Sequence, residues 1–365
     1  MDKEYFATLR KHLDNFLGYP CNTSYDYSEV FDYFKLNINN VGCPYTNGTY
    51  KVNSKDMEQD VILFFANLWG IKIEDTWAYI TSAGTEGNMQ GLFVGRESLG
   101  KDAIFYTSKD SHYSLLKIAR LLCLNLCEVE TRENGEMDYE DFERKLLENV
   151  NRPALINLNI GTTMKGAIDS GIEIFGILEK HNKQDDYYMH ADGALMGFVL
   201  PFIEKDLMLT RHIHSISISN HKFLGCPFPC GIFMMEKRFL KLVSRDIEYI
   251  GSVDCMISGS RSGHTAILLK YMIDKKGKVG FGEDIKKCLE LAEYVVKELP
   301  NSWRNNQSIT IIFPKPSDEI VAKWQLATQD DISHIIVMPH VTKEKLDEFI
   351  IEYKEWMACT ICIKP

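Results

Sequence analysis

The sequence has little that would carry the chain into a membrane, out of a cell or onto a nucleic acid. It contains no run of about 18 consecutive apolar residues, so we expect no membrane helix. Residues 1–6 lack a basic segment followed by an apolar one, so no secretory signal is visible and a cytoplasmic protein is expected. Acidic residues outnumber basic ones by 51 to 41, and the net charge of -10 argues against nucleic-acid or anionic-membrane partners.

Cysteine and histidine spacings typical of disulfide frameworks or metal sites are also scarce. The 10 cysteines are scattered and most lie in apolar segments such as 122–127, which predicts reduced, buried thiols. Two segments, 211–214 and 226–230, offer nitrogen and sulfur ligands. Neither contains a CxxC pair, and two prolines stiffen the second, so we expect no metal site.

Strand and helix patterns alternate through the first two thirds of the chain. A length of 365 residues exceeds the usual size of a single core, so two subdomains are expected. The alternation predicts an α/β fold with a mostly parallel sheet that helices cover on both faces. The predicted strands are 77–81, 103–106, 127–129, 154–159, 187–190 and 213–218, and the predicted helices are 54–68, 86–99, 113–122, 139–148 and 172–181.

The two ends of the chain differ from this alternating region in composition and in the pattern of apolar residues. The first fifty or so residues are rich in Asn, Asp and Tyr, which favours a segment that wraps a neighbour. After about residue 261, longer helices precede strands at 308–313 and 334–338 and a final helix at 343–356. We therefore predict a wrapping segment over 1–55, a large domain over 56–260 and a small α+β domain over 261–365.

An aspartate and a lysine follow two successive buried runs. Asp192 lies in His-Ala-Asp-Gly-Ala at 190–194, and Lys222 closes Ser-Ile-Ser-Ile-Ser-Asn-His-Lys at 215–222. In a pyridoxal phosphate (PLP) site a lysine forms the Schiff base, and an aspartate keeps the pyridine nitrogen protonated. Each motif alone is weak evidence for such a site, because a lysine after a hydroxyl-rich strand is usually just a strand-end cation. Taken with the segments that precede them, they predict a PLP site.

Three of those segments follow strands at the same predicted sheet edge. Residues 81–88 join a strand to a helix whose free N–H groups can bind phosphate, and an ordinary capped turn is an equal alternative. The segment matches neither the GxGxxG motif nor a Walker loop, so a nucleotide-binding site is less favoured. His112 can lie over a bound aromatic ring and assist proton transfer, or be a plain loop residue. Thr162 and Thr163 can contact a cofactor or substrate, or belong to a polar loop.

Together these segments resemble the group II PLP-dependent amino-acid decarboxylases, in the branch of histidine decarboxylases and plant serine decarboxylases. The resemblance implies a type I PLP-dependent transferase fold and a homodimer with its active site at the subunit interface. It covers nearly the whole chain. The matching segments are 18–20, 38–40, 79–88, 108–114, 159–163, 190–197, 217–231, 258–264, 324–327 and 337–339.

The resemblance also assigns roles to residues. It implies that His112 stacks on the pyridine ring, Asp192 pairs with its nitrogen and Lys222 forms the internal aldimine. It also implies a mobile loop over 247–261 that reaches the partner subunit, and Tyr249 in this loop is the candidate proton donor. A loop tyrosine is more commonly a packed residue without a catalytic role. The other implied cofactor contacts are Gly84, Thr85, Thr162, Ala194, Ser219 and His221.

Three positions depart from the family pattern. Cys43 replaces an acidic residue beside the expected substrate entrance, Asn220 replaces a glycine, and Ser262 replaces an asparagine. The resemblance implies decarboxylation of a small polar L-amino acid, histidine to histamine or serine to ethanolamine. Transamination and aldehyde-forming oxidative decarboxylation are alternatives on the same fold. A diverged protein that binds cofactor or a dimer partner without turnover is another.

Overall fold

The computed structural model describes residues 2–204, 207 and 211–363, and the side chains up to residue 359. Helices and strands alternate as the sequence predicts. The strands are β1 (Thr76–Thr81), β2 (Ile104–Ser108), β3 (Asn125–Val129), β4 (Ala154–Asn159), β5 (Tyr187–Asp192), β6 (Ser215–Ser219), β7 (Gly231–Glu236), β8 (Arg245–Ile247), β9 (Ser252–Asp254), β10 (Thr310–Pro314), β11 (Ala327–Gln329) and β12 (Ile332–Ile336). The helices are α1 (Lys3–His12), α2 (Lys55–Leu68), α3 (Gly84–Leu99), α4 (Ser114–Leu121), α5 (Tyr139–Glu148), α6 (Gly171–Lys180), α7 (Met196–Ile203), α8 (Leu240–Val243), α9 (Gly263–Glu298), α10 (Asp318–Trp324) and α11 (Lys343–Ile363).

A seven-stranded sheet forms the centre of the large domain, in the order β1-β7-β6-β5-β4-β2-β3. The five strands from β6 to β3 run parallel, as the alternation predicts. The prediction omitted β7, which lies antiparallel between β1 and β6. No helix separates β6 from β7, so this strand falls outside the pattern from which the others were predicted.

Helix α3 lies unusually close to the sheet because one of its faces consists of glycine. A Cβ at Gly87 would collide with the Ser217 hydroxyl, and one at Gly91 would collide with the ring of His190. The close approach therefore requires residues without side chains at these positions. The glycines of this face are Gly84, Gly87, Gly91 and Gly95.

The C-terminal part contains a separate antiparallel sheet in the order β10-β12-β11. Helix α11 packs against it through Leu346, Phe349, Ile350 and Tyr353, all of them buried, which confirms the predicted apolar face. Helix α9 changes direction at Gly277, whose φ of 64° is not helical. The domain boundaries at 55 and 261 stay a prediction.

The N-terminal segment begins with a helix that the sequence prediction did not include. Asp2 caps α1 by accepting hydrogen bonds from the backbone N–H groups of Glu4 and Tyr5. None of the residues of α1 is buried within this chain. Its exposed apolar side chains are Tyr5, Phe6 and Leu9, with Leu13 just beyond its end.

The cysteines only partly follow the expectation of buried thiols. Of nine described cysteines, all free, five are buried, two are partly buried and two are exposed. Cys123, which the sequence placed in a buried apolar segment, is exposed. It lies two residues beyond the end of α4 with a positive φ of 52°, so the chain turns there and the segment does not continue into the core.

Candidate active site

A cavity of about 260 Å³ lies where β4, β5 and β6 end and α3 begins. This is the sheet edge at which parallel α/β folds bind ligands. Nine of the ten predicted site residues line it, and Tyr249 does not. The nine are Gly84, Thr85, His112, Thr162, Asp192, Ala194, Ser219, His221 and Lys222.

Lys222 follows β6 in a short turn that points it into the cavity. Its N–H lies 3.4 Å from the Ser219 carbonyl oxygen, and its own carbonyl accepts from the N–H of Asn22 at 3.1 Å. Burial lowers the pKa of the Lys222 ammonium, and the negative charges of Asp192 and of an ionised Cys21 only partly oppose that effect. A larger fraction of this lysine is therefore the free, nucleophilic amine.

Asp192 ends β5, and its carboxylate is held by two donors. Oδ2 accepts from the side-chain amide of Asn88 at 2.8 Å, and Oδ1 accepts from the backbone N–H of Ala194 at 3.1 Å. The Asn88 oxygen in turn lies 3.1 Å from Nε2 of His190, whose Nδ1 lies 2.8 Å from the Ser215 hydroxyl. Burial lowers the pKa of His190 to about 4, so this ring is neutral at neutral pH.

This chain of hydrogen bonds orients the Asp192 carboxylate, and it gives Asn88 a role that the sequence interpretation missed. Asn88 lies in the motif 81–88 but was assigned no contact. It stands four residues after Gly84, one helical turn further along α3. That spacing is a signal that could have identified it.

His112 lies after β2 and is partly buried in the cavity wall. Its Nδ1 accepts from the backbone N–H of Ser114 at 3.3 Å and lies 2.7 Å from the Ser114 hydroxyl, so Nε2 carries the proton of the neutral ring. Burial lowers the His112 pKa; Asp192 opposes this shift, and Lys222 adds to it. The ring is therefore neutral at neutral pH.

The start of α3 lies at one end of the cavity. The helix begins after Ala83, and no side chain caps it, so Thr85 lies in the first turn and is not the cap. The Ser219 hydroxyl lies so close to Gly84 that a Cβ there would collide with it. Unpaired helix N–H groups, a hydroxyl and the nearby imidazole of His221 are groups that bind phosphate.

The donor set of the cavity therefore fits PLP. It combines an amine with a lowered pKa for an aldehyde, an oriented carboxylate for a ring nitrogen, a neutral imidazole and an anion site. Remote parts of the chain complete the walls. These added residues include Tyr19 and Pro20 from the N-terminal segment and Thr310, Ala327, His334 and Ile336 from the C-terminal part.

His334 bridges three parts of the chain at this wall. From β12, its Nδ1 lies 2.9 Å from the carbonyl oxygen of Met164 and its Nε2 lies 3.1 Å from that of Gly18. The N-terminal segment and the small sheet are thereby fastened to the loop after β4. Its role depends on tertiary contacts, which no local sequence pattern reveals.

Two predicted positions lie away from this cavity. The Tyr249 side chain is 86% exposed, in a turn between β8 and β9. Cys43 is buried, but it lines a different cavity beside Cys255 and not the one around Lys222. Asn220, the second departure from the family pattern, is buried with neither amide atom hydrogen-bonded.

The segments weighed as metal ligands have other contacts. His212 stacks on Phe175 with ring centroids 3.7 Å apart, and Nδ1 of His214 accepts from the Met189 N–H at 3.0 Å. Within the described part of the chain, no group of three or more His, Cys, Asp or Glu side chains is arranged to hold a metal ion. Across the same residues, no helix is long and apolar enough to cross a membrane.

Comparison with known proteins places this cavity in context. Residues 88–316 match the pyridoxal-dependent decarboxylase conserved domain. The chain is 41% identical to serine decarboxylase 1 of Oryza sativa subsp. japonica, over 97% of this chain and 75% of that protein. It is 42% identical to the histidine decarboxylase of Solanum lycopersicum, over 95% of this chain and 86% of that protein.

A solved structure supports the same fold. The L-methionine decarboxylase of Streptomyces sp. 590, in complex with L-methionine methyl ester, superposes with a TM-score of 0.86 at 25% identity. The superposition covers 97% of this chain and 95% of that one. The expected type I fold is therefore confirmed.

Proposed function

The chain belongs to the pyridoxal-dependent decarboxylase family, and from that premise we propose that Lys222, Asp192 and His112 form the catalytic centre of a decarboxylase for a small polar L-amino acid. Family membership makes the protein a carboxy-lyase that uses PLP. The observation that carries the residue assignment is the convergence of these side chains on one cavity with an anion-binding end.

Each residue has a distinct task in this proposal. PLP, when bound, supplies an electron-withdrawing ring that accepts the electron pair left as carbon dioxide departs. Nζ of Lys222 would hold the cofactor covalently through its aldehyde carbon. Asp192, fixed by Asn88, would keep a proton on the ring nitrogen. His112 would pack its neutral ring over the face of the cofactor.

The phosphate end would be held by the first turn of α3. Backbone N–H groups of Gly84 and Thr85 and the Ser219 hydroxyl supply the donors, and His221 lines the same end. Thr162 and Ala194 would contact the cofactor from the ends of β4 and β5. The Thr162 hydroxyl accepts from the Ala167 N–H at 3.0 Å, which orients it.

We assign Tyr249 as the proton donor to the carbon that loses its carboxylate, and we place it in the active site of a partner subunit. Tyr249 is highly exposed and does not line the Lys222 cavity of its own chain, which supports a role outside that chain. The exposed apolar side chains of α1 support a homodimer, because such surface is normally buried against a partner. Tyr5, Phe6 and Leu9 are the residues we expect there.

Serine and histidine are the proposed substrates. The relatives named for these two substrates are nearly equally similar to this chain, at 41% and 42% identity. The decisive experiment incubates purified protein with PLP and each of the twenty amino acids while carbon dioxide and amine are measured. Release of amine and carbon dioxide in equal amounts from one amino acid is the expected result.

The same assay tests the alternatives. Aldehyde with peroxide would point to oxidative decarboxylation, and a keto acid without carbon dioxide would point to transamination. Bound PLP without any product would favour a binding protein that has lost turnover. No feature of the cavity favours these over simple decarboxylation.

A further inference from the structure

A second cavity, of about 490 Å³, lies between the segment around Cys43 and the β8–β9 hairpin. Both Cys43 and Cys255 line it, together with exposed Lys237, Arg245 and Asp246 at its rim. It has no residue in common with the Lys222 cavity. We therefore expect a small molecule to approach the two buried thiols through this cavity.

Backbone contacts bring the two cysteines together across a long stretch of chain. The Cys43 N–H donates to the Val253 carbonyl at 2.9 Å, two residues before Cys255. The Cys255 carbonyl accepts from the side-chain amide of Gln90 on α3 at 2.9 Å. Both thiols belong to the same apolar cluster. Their neighbourhood is thus defined by hydrogen bonds to the backbone and to a side chain of α3.

The surroundings stabilise a thiolate on Cys43. A hydrogen bond from the Cys255 thiol is the largest cause that lowers the pKa of Cys43 to about 6, and the same contact raises the pKa of Cys255. The Lys55 ammonium donates to the Cys43 carbonyl at 2.9 Å and adds a nearby positive charge.

Trp77 supplies a further donor near Cys43. Its side chain is 1% exposed, and its indole N–H has no hydrogen-bond partner in the structure. A buried donor without a partner is costly, so it normally marks the place of an acceptor. This N–H contributes to the stabilisation of negative charge on Cys43, and a thiolate or sulfenate oxygen there is the acceptor that it lacks.

We propose that Cys43 and Cys255 are a peroxide-responsive thiol pair. The Cys43 thiolate attacks one oxygen of a hydroperoxide, the O–O bond breaks, and a sulfenic acid forms as the second oxygen leaves as water or alcohol. The Cys255 sulfur then attacks the sulfenic sulfur, a disulfide forms, and water leaves with the Cys255 proton. Two thiols are oxidised and one peroxide is reduced.

The disulfide would add a covalent link between two segments that otherwise meet through hydrogen bonds, such as the one from the Cys43 N–H to the Val253 carbonyl. One is the N-terminal segment, in which Gly42 is held by Arg261 through a hydrogen bond of 2.9 Å to its carbonyl. The other is the strand that follows Tyr249. Cross-linking would restrain the β8–β9 hairpin, so its backbone amides should exchange more slowly in the oxidised protein.

The test uses the protein purified with PLP and treated with hydrogen peroxide under native conditions. Acid quenching, alkylation and peptide mass spectrometry should reveal a peptide cross-linked between residues 43 and 255, lighter by two hydrogen atoms and released by dithiothreitol. Cys226 and Cys230 provide an internal control, because they are buried neighbours outside both cavities and the pKa of Cys230 is raised. Their oxidation should be at least about tenfold slower.

Variants separate the two steps. Cys255→Ser should leave a sulfenic acid on Cys43 that dimedone traps, with no cross-link, and Cys43→Ser should protect Cys255 from oxidation. Equal rates for the two cysteine pairs would overturn the proposal. So would oxidation of Cys43 in the unaltered protein that never proceeds to the disulfide. These readouts do not depend on decarboxylase turnover, so they stand apart from the proposed function.

Discussion

The cavity around Lys222 and the β8–β9 hairpin differ in how many contacts a single chain provides for their functional side chains. In the cavity, Asp192 is buried and its carboxylate is held by donors from α3 and from the loop after β5. On the hairpin, Tyr249 projects into solvent. In the proposed mechanism, cofactor binding would thus depend on contacts made within one chain, whereas proton delivery by Tyr249 would depend on a surface that one chain leaves open.

The difference follows from the kind of chemistry each part serves. Electrostatic stabilisation works best when charged groups are fixed before the reaction begins. A proton donor that also excludes water must admit the substrate first, so it belongs on a segment that closes afterwards. The predictions below test this division, beginning with the cavity.

Lys222→Ala should have the largest effect. Loss of the only proposed covalent attachment should remove the visible absorbance of the bound cofactor and reduce turnover on the order of 10⁴-fold or more. Borohydride reduction and peptide mapping of the unaltered protein provide the matched measurement. A pyridoxyl label on any other lysine would contradict the assignment.

Asp192→Asn should follow, with a loss of turnover on the order of 10²- to 10³-fold. The neutral amide cannot favour a protonated ring nitrogen, but the variant should still bind cofactor because the anion end is intact. Absorbance titration with PLP and initial rates would separate binding from turnover. If turnover were unchanged, Asp192 would be a structural strand-end residue.

Tyr249→Phe tests the other side of the comparison. We expect unaltered cofactor binding, about 10²-fold less amine, and a shift of product towards aldehyde, ammonia and peroxide. Without the phenol, the electron-rich carbon left by carbon dioxide persists and reacts with oxygen. Amine at the unaltered rate without peroxide would show that the proton comes from elsewhere, and His112 would be the next candidate.

The smallest effect concerns pH. Burial lowers the pKa of His190 to about 4 and of His214 to about 3, below the unfolded value of 6.5. Below pH 6.5 these histidines therefore take up protons in the unfolded chain but stay neutral in the folded chain. The folded state loses stability as a result. The free energy of unfolding should fall by about 1 to 2 kcal/mol per histidine between pH 7 and 5.

Urea unfolding at the two pH values would measure this loss, and His190→Gln should reduce it by the share of one histidine, about 1 to 2 kcal/mol. If stability were constant over this range, the two rings would not be neutral and buried in the folded state. An equal loss in His190→Gln and the unaltered protein would assign the effect to other groups.

Much of the cavity around Lys222 could be predicted from sequence, because the motifs that follow strands depend on local structure. Parallel strands bring their carboxyl ends to one edge, so Asp192, Lys222 and His112 could be expected together. Contacts made at a distance could not be predicted. His334 joins segments more than a hundred residues apart, and its contacts leave no periodic signal. Asn88 differs, because its position one helical turn after Gly84 was a signal that the interpretation overlooked.

The strand β7 was missed for a related physical reason. No helix separates it from β6, so the alternation of strands and helices did not indicate it, and its pairing with β1 joins residues as distant as Thr81 and Gly231. The cavity that Cys43 shares with Cys255 was not predicted either, because Cys255 lies far along the chain. The position of Cys43 beside a substrate entrance stays a prediction. Resemblance to a family helps least at such positions, where this chain departs from the pattern.

The glycine face of α3 has a consequence for the order in which this protein is made. Glycine in a helix costs about 1 kcal/mol relative to alanine, so a helix with four glycines on one face has little stability before it meets the sheet. During synthesis, residues 84–99 emerge more than eighty residues before β5 exists and well before β6. The nascent chain therefore cannot form its anion-binding end early, and the ability to hold a cofactor arises only after residue 222 has left the ribosome.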